Sequence, residues 1–459
     1  MSENTMQKRG MTKPPERIIS AILIFSLFLC IFSCLPSGAG AIETLSCQNL
    51  VISLGGNERE LIFSWADDQS SGKTALREAG KGSFIEYEAA TSAFGAGYIH
   101  KTTVGGLKSS ASYEYKLIGA DKTESEVFSF KTGSPSKYSF LAVGDPQIAS
   151  AANGRIWRAT LSAAVTNFPN AAFLIGTGDQ VDNYRGNSAF EYAEFFSPGE
   201  LHSLPTAFAV GNHDNGLSLH AKSFYFPNTA AVGPGATNFD FWFRYGSTLF
   251  MVLDSNVSDT EAHKTFLDGA VKANSDAVWK IVIFHHSLYS EGPHSVTADT
   301  KDRRNSWPFL FDEIGADLII SGHDHCYTRT HMMKGNKIAE EGSGTLYITL
   351  NSSSGSKYYD FAAAAPAAYS AVRGQSRAPE FSVIDVNDAE LTISVYRADT
   401  MKMTDTYTIA KDPVQTGTGT GVAAVSATFL AAIAAAVFPD AVRSSLTAAL
   451  TRTSQLIFS

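Results

Sequence analysis

Between about residues 42 and 132, apolar and polar positions alternate in short runs: "NLVISLG", "ELIFSWA", "SFIEYEA", "YIHKTTV", "YEYKLIG" and "EVFSFKT". Gly, Ser, Asp and Asn separate them, and no long helical period intervenes, which predicts an all-β sandwich over 42–133. After a "GSPSK" linker the texture changes. From Tyr138 onward, "YSFLAVGD", "AAFLIGTGD", "TAFAVGNHD", "WKIVIFHH" and "DLIISGHDH" are apolar runs that each end in a polar cluster. Helix-compatible stretches such as "NGRIWRATLSAAVTNF" and "SAFEYAEFF" lie between several of them. Buried strands alternating with helices predict an α/β domain over 137–410, in which functional residues gather beyond the carboxyl ends of the strands. The later runs "GTLYITLN", "EFSVIDV" and "ELTISVYRA" read as strands that close a second sheet.

The termini have a different pattern. Lys8, Arg9, Lys13 and Arg17 precede "IISAILIFSLFLCIF" and then the small residues "SGAGA". That order reads as a secretory signal over 1–41 with cleavage after Ala41, the alternative being an uncleaved membrane anchor. Residues 411–459 hold a low-complexity linker, an uncharged Ala-rich segment at 422–438 and a tail; the segment reads as a tail anchor, a processing signal or a docked helix. A secreted or extracytoplasmic protein is the expectation, with membrane attachment through 422–438 or an uncleaved N-terminal segment as the alternative. Without its signal the chain keeps Cys47 and Cys326, too few for a disulfide framework. Asn256 and Asn351 head Asn-x-Ser sequons.

With 459 residues, 44% hydrophobic and 18% charged, the chain can build substantial cores. A formal charge of −9 argues against a nucleic-acid binder. The chemistry lies in the strand ends. In order they offer Asp145 and Gln147 in "GDPQ", Asp179 in "GDQVDN", Asn212, His213 and Asp214 in "GNHD", His285 in "FHH", and His323 and His325 in "GHDH". Carboxylates, an amide and imidazoles without thiolates suit Fe, Mn or Zn. Two carboxylates and three imidazoles exceed what one ion with an open position takes, and two ions sharing a carboxylate accommodate them. A glycine before each Asp, before Asn212 and before His323 is expected to let the backbone turn sharply.

These residues carry a resemblance. The order GD, GDxx, GNH, H, GHxH is similar to that of calcineurin-like metallophosphoesterases, specifically the purple acid phosphatase branch. Leu107, six residues before Tyr113 in "GGLKSSASYEY", resembles the tyrosine corner of fibronectin type III domains. The resemblance covers about 43–410. It implies a fibronectin III-like sandwich followed by a four-layer α/β/β/α catalytic domain. It also implies two metal ions, one held by Asp145, Asp179 and His325, the other by Asp179 as the bridge with Asn212, His285 and His323. Gln147 matches an Asp-x-Gln variant in which the amide oxygen is a ligand, and His286 is expected to be a neighbour rather than a ligand. Purple relatives carry a tyrosine three residues after the bridging aspartate; this chain has Asp182 there, so an Fe(III)-specific site is not expected.

The implied activity is hydrolysis of a phosphorylated small molecule, a monoester, by a metal-activated hydroxide. His213, its ring held protonated by Asp214, and His294, nine residues after His285, are the expected proton donors to the leaving group. A phosphodiesterase or nucleotide pyrophosphatase on the same ligands, or a cell-surface binding protein with weak turnover, are the alternatives.

Overall fold

The computed structural model describes residues 44–183, 186, 188–233 and 238–411. The predicted signal at 1–41 and the apolar segment at 422–438 lie outside the described residues. Among the described residues no helix is long and apolar enough to cross a membrane.

Two sheets face each other. A ten-stranded sheet runs, in spatial order, Met403–Ala410, Glu390–Arg397, Glu380–Asn387, Lys137–Val143, Ala171–Gly176, Thr206–Phe208, Gln48–Leu54, Leu61–Asp67, Gly97–Val104 and Ala90–Phe94. An eight-stranded sheet runs Ala230–Ala231, Phe239–Tyr245, Thr248–Val252, Trp279–His286, Leu318–Gly322, Leu346–Thr349, Tyr327–Thr330 and Ser370–Gly374. The central catalytic-domain strands are parallel in each.

The period of two along each strand builds the layers. Phe140 and Ala142 point into the apolar core between the sheets, with Phe173, Phe250, Ile281 and Ile320. Leu141 and Val143 point the other way, against Trp157 and Leu161 of the helix Ala151–Asn167 and Tyr192 and Phe195 of Ser188–Phe195. On the far side, Leu249, Val282 and Ile319 meet Phe266 of Thr260–Ala273 and Trp307 and Phe311 of Ala298–Ile314. The expected α/β/β/α order follows directly from these faces.

The N-terminal sandwich is present, with Gly72–Glu78, Ile85–Glu88, Ser112–Gly119 and Phe128–Lys131 as its second sheet. Its tyrosine corner closes as expected, the Lys108 amide donating to the Tyr113 hydroxyl at 2.8 Å. Gly72–Glu78 carries "GKTALRE", residues that favour helix, yet Thr74, Ala75 and Leu76 are buried between neighbouring strands. The first sheet of the sandwich is not separate from the catalytic sheet. Ser53 pairs with Thr206 in parallel, and the Thr206 hydroxyl donates to the Ile52 carbonyl at 2.9 Å. This short pairing joins the edges of the two sheets, so neither is left fully open there.

Candidate metal centre

The loops beyond Val143, Gly176, Phe208, His286 and Gly322 converge at the carboxyl ends of the two sheets. Asp145, Gln147, Asp179, His323 and His325 have φ of 40°, 38°, 51°, 74° and 46°. Left-handed backbone at a non-glycine residue costs roughly 1–2 kcal/mol. Five such residues at one site mean that the surrounding fold holds the backbone against local preference, as functional sites do.

The preceding glycines avoid a Cβ clash, and only one of them is also needed for a left-handed turn. Of Gly144, Gly178, Gly211 and Gly322, Gly178 alone has a positive φ, +104°. At the other three the need is closeness. A Cβ on Gly211 would sit 2.0 Å from Asp179 Oδ1, and one on Gly322 2.3 Å from Asp145 Oδ2. One on Gly144 would sit 2.8 Å from the Asn351 carbonyl oxygen. The loops pack so tightly that a methyl group does not fit.

Around His285, four donor atoms meet. Its Nδ1 donates to the Thr177 carbonyl at 3.1 Å, which leaves Nε2 facing inward. From Nε2 it is 2.9 Å to Asn212 Oδ1, 3.0 Å to His323 Nδ1 and 3.3 Å to Asp179 Oδ2. Atoms about 2.1 Å from one shared ion lie about 3.0–3.4 Å from each other. Beside Asp145, His325 donates through Nδ1 to the Lys357 carbonyl at 3.0 Å, and its Nε2 lies 3.6 Å from Asp145 Oδ1. Gln147 Oε1 is buried with no hydrogen-bond partner among the described residues. Clusters able to hold a metal form from Asp145, Asp179 and His285, and from His285, His286 and His323.

Electrostatics point the same way. Burial pushes the Asp145 carboxyl up to about 8, whereas His285 holds Asp179 below the usual carboxylate range against the same burial. Burial opposes a proton on His285, yet Asp179 and then Asp145 raise it to about 9. Burial lowers His325 to about 4, and with it the neutral, ligating form is favoured. Two buried acids, an orphaned amide oxygen and imidazoles with one nitrogen anchored fit a cation centre: bound positive charge would compensate what the protein alone leaves unbalanced. Asp145, Asp179, Asn212, His285, His323 and His325 are brought together here, and the Gln147 backbone amide donates to the Asp179 carbonyl at 2.7 Å. His286 stands beside them, its Nδ1 taken by Ser255 Oγ at 2.8 Å and its ring 4.6 Å from that of His323.

The rim corrects one expectation. Asp214 does not hold the His213 ring. Its two oxygens accept from the amides of Gln180 (3.1 and 3.2 Å), Gly211 (3.1 Å) and Val181 (3.4 Å) and from the Tyr192 hydroxyl (3.0 Å). Asp214 therefore staples the "GNHD" loop to the "GDQ" loop. The neighbours of the His213 ring are the Asp182 carbonyl at Nδ1, Asp182 Oδ1 at 3.9 Å from Nδ1, and Asp179 Oδ2 at 3.9 Å from Nε2. Asp182, where purple relatives have tyrosine, is paired with Lys357 Nζ at 2.8 Å. The carboxylate that does hold a rim imidazole is Asp324, bonded to His294 Nδ1 at 2.7 Å. Sequence reasoning passed over it as the spacer in "GHDH".

The Ser/Gly-rich loop after the last buried strand is part of the site. Ser352 Oγ donates to the Asp145 carbonyl at 3.0 Å, Lys357 supplies the carbonyl that orients His325, and the Tyr359 ring lies 4.9 Å from that of His325. The two sequons are engaged in packing: Asn351 is 2% exposed, and the Asn256 amide donates to the Gly211 carbonyl at 3.3 Å. Cys47 and Cys326 are free thiols.

Comparison with known proteins agrees with this geometry. Residues 138–327 match the family model of the calcineurin-like phosphoesterases, and 47–132 match the purple acid phosphatase N-terminal domain. Purple acid phosphatase 17 of Arabidopsis thaliana is 43% identical over 53 residues, 12% of this chain and 15% of the relative. Purple acid phosphatase 15 of the same plant is 22% identical over 294 residues, 56% of this chain and 53% of the relative. The chain thus spans about half or less of the length of these curated relatives. A purple acid phosphatase from yellow lupin (Lupinus luteus) seeds shares the fold, with a TM-score of 0.68 at 16% identity over 80% of this chain and 75% of that one.

Proposed function

We propose that this chain, a calcineurin-like phosphoesterase domain behind a purple acid phosphatase N-terminal domain, hydrolyses phosphate monoesters at a pair of metal ions, and does so as a secreted or surface-attached protein. The observation that carries the reading is the place of Asp179, a buried carboxylate that clusters with Asp145 and His285 and whose Oδ2 lies 3.3 Å from His285 Nε2. Asp145, Gln147, Asp179 and His325 would hold one ion; Asp179, Asn212, His285 and His323 would hold the other, with Fe, Mn or Zn as the fitting metals. When bound, the ions supply Lewis acidity, which acidifies a water and offsets phosphoryl charge.

The protein's own groups do the rest. Thr177 and Lys357 carbonyls fix the faces of His285 and His325, so each keeps one nitrogen free. Ser352 and the glycine contacts keep the carboxylate loops in place. His213 and His294, 24% and 33% exposed at the rim, are able to hydrogen-bond a substrate above the centre. His294 is the better supported donor to the departing ester oxygen, because a buried carboxylate backs its ring. The Lys357 ammonium adds positive charge beside Asp182, which favours an anionic ligand nearby.

The test is turnover of p-nitrophenyl phosphate against its bis ester, with the metal-free protein reloaded with Zn, Mn or Fe in turn. Metal-dependent turnover of the monoester supports the reading. Preference for the diester makes the chain a phosphodiesterase, and no turnover of either makes it a binding protein.

A further inference from the structure

Asp324 sits between two of the ligand histidines and is 0% exposed. Neither of its oxygens is turned toward the cluster around His285. Oδ1 accepts from the His294 amide at 2.9 Å and from His294 Nδ1 at 2.7 Å. Oδ2 accepts from the Ser290 hydroxyl, and that same hydroxyl receives the Gly292 amide at 3.0 Å. The turn that carries His294 closes on this carboxylate with no room to spare: a Cβ on Gly292 would lie 2.7 Å from Asp324 Cβ. One oxygen thus grips both the backbone and the ring of His294.

The consequence is orientation. With Nδ1 tied to Asp324, the nitrogen left for a ligand is Nε2, on the opposite side of the ring. The ring lies over His323, centroids 4.1 Å apart, and edge-on to Tyr359 at 5.4 Å, so it faces the mouth of the metal centre. A rim imidazole with two free torsions would otherwise sample several directions and both neutral tautomers. We propose that Asp324 is the positioning residue that holds His294 in one tautomer with Nε2 directed at the ester oxygen leaving phosphorus. This deepens the phosphatase reading and rests on it. In the step served, a water oxygen joins phosphorus and its protons stay on the phosphate formed, the phosphorus–oxygen bond to the alcohol breaks, and the departing oxygen takes the Nε2 proton of the doubly protonated ring, which is left neutral with Nδ1–H still donating to Asp324.

The experiment uses the full metal-loaded protein and the variants D324N, H294Q and the double variant. An alkyl phosphate needs a proton on its departing oxygen, whereas p-nitrophenolate leaves without one. D324N is expected to lower alkyl phosphate turnover about a hundredfold and p-nitrophenyl phosphate turnover less than about tenfold, with bound metal unchanged. In the H294Q background, D324N is expected to add less than about twofold. An equal fall on both esters, no fall, or full additivity with H294Q overturns the proposal. If D324N fails to fold or loses metal, imidazole nitrogen NMR of the zinc-loaded wild type decides: a proton on Nδ1 of His294 supports the pair, and a neutral ring protonated on Nε2 alone overturns it. If the wild type hydrolyses no ester, the phosphatase reading falls, and the NMR result still judges the pair.

Discussion

Replacing Asp214 by Asn distinguishes a stapling carboxylate from a partner of His213. The carboxylate receives donors on both oxygens: Gln180, Val181 and Tyr192 on Oδ1, Gln180 and Gly211 on Oδ2. An amide has one accepting oxygen and one donating nitrogen, so either orientation turns an N–H toward a donor. Placing the nitrogen on the Oδ2 side strands the Gly211 amide; placing it on the Oδ1 side strands the Tyr192 hydroxyl and the Val181 amide. A buried donor left unsatisfied costs about 1–3 kcal/mol, and D214N is expected to be less stable by about that amount. Y192F, which removes one donor and leaves the amides bound, is expected to cost about 1 kcal/mol. Chemical denaturation of both variants beside the wild type measures this, and thermal midpoints should fall by about 2–4 °C per kcal/mol. Because Gly211 precedes Asn212, D214N should also bind metal more weakly. A D214N protein within about 0.5 kcal/mol of wild type, with metal retained and turnover lost, would refute the stapling argument and return Asp214 to the role of a partner for His213.

Three further outcomes are expected. G322A pushes a methyl against Asp145 Oδ2 and Thr177 Oγ1, at 2.3 and 2.5 Å in the present geometry, and elemental analysis should find less bound metal in a folded protein. Removing metal with a chelator should lower the thermal midpoint, since a ligand at a hundred times its Kd stabilises by about 2.7 kcal/mol; an unchanged midpoint counts against a site filled in the folded state. Away from the centre, both nitrogens of buried His263 face acceptors, Asp240 Oδ2 at 2.7 Å and the Val257 carbonyl at 3.1 Å, so the ring carries both protons. Burial opposes that charge, but Asp240 raises the pKa of His263 above its ordinary value. The stabilisation from this proton is present at about pH 6.5 and fades as pH rises through the raised value, while burial raises Asp240 as well, so the pair also weakens in acid as that carboxylate takes up a proton. The stability gap between wild type and H263Q should shrink as pH rises above about 6.5; a constant gap contradicts the charged pair.

What the chain settles by itself is the set of strand ends. Apolar runs closed by Asp145, Asp179, Asn212, His285 and His323 could be read in order because a buried strand and the loop after it are contiguous, and period-two alternation sorts their faces. The strand Gly72–Glu78 escaped, since its Ala, Leu, Arg and Glu favour helix and only pairing with two neighbouring strands overrides that. The join between Gln48–Leu54 and Thr206–Phe208 escaped for a like reason: strand pairing across 150 residues leaves no local mark. Within the site, adjacency misled. His213 and Asp214 are neighbours in sequence, yet successive side chains leave the loop in different directions, and Asp214 is drawn to amides at 180, 181 and 211. His294 and Asp324 are thirty residues apart and are hydrogen-bonded. Composition and spacing determine which groups arrive at the centre, but hydrogen bonds are directional and short, so which group holds which is decided only where the loops meet in space.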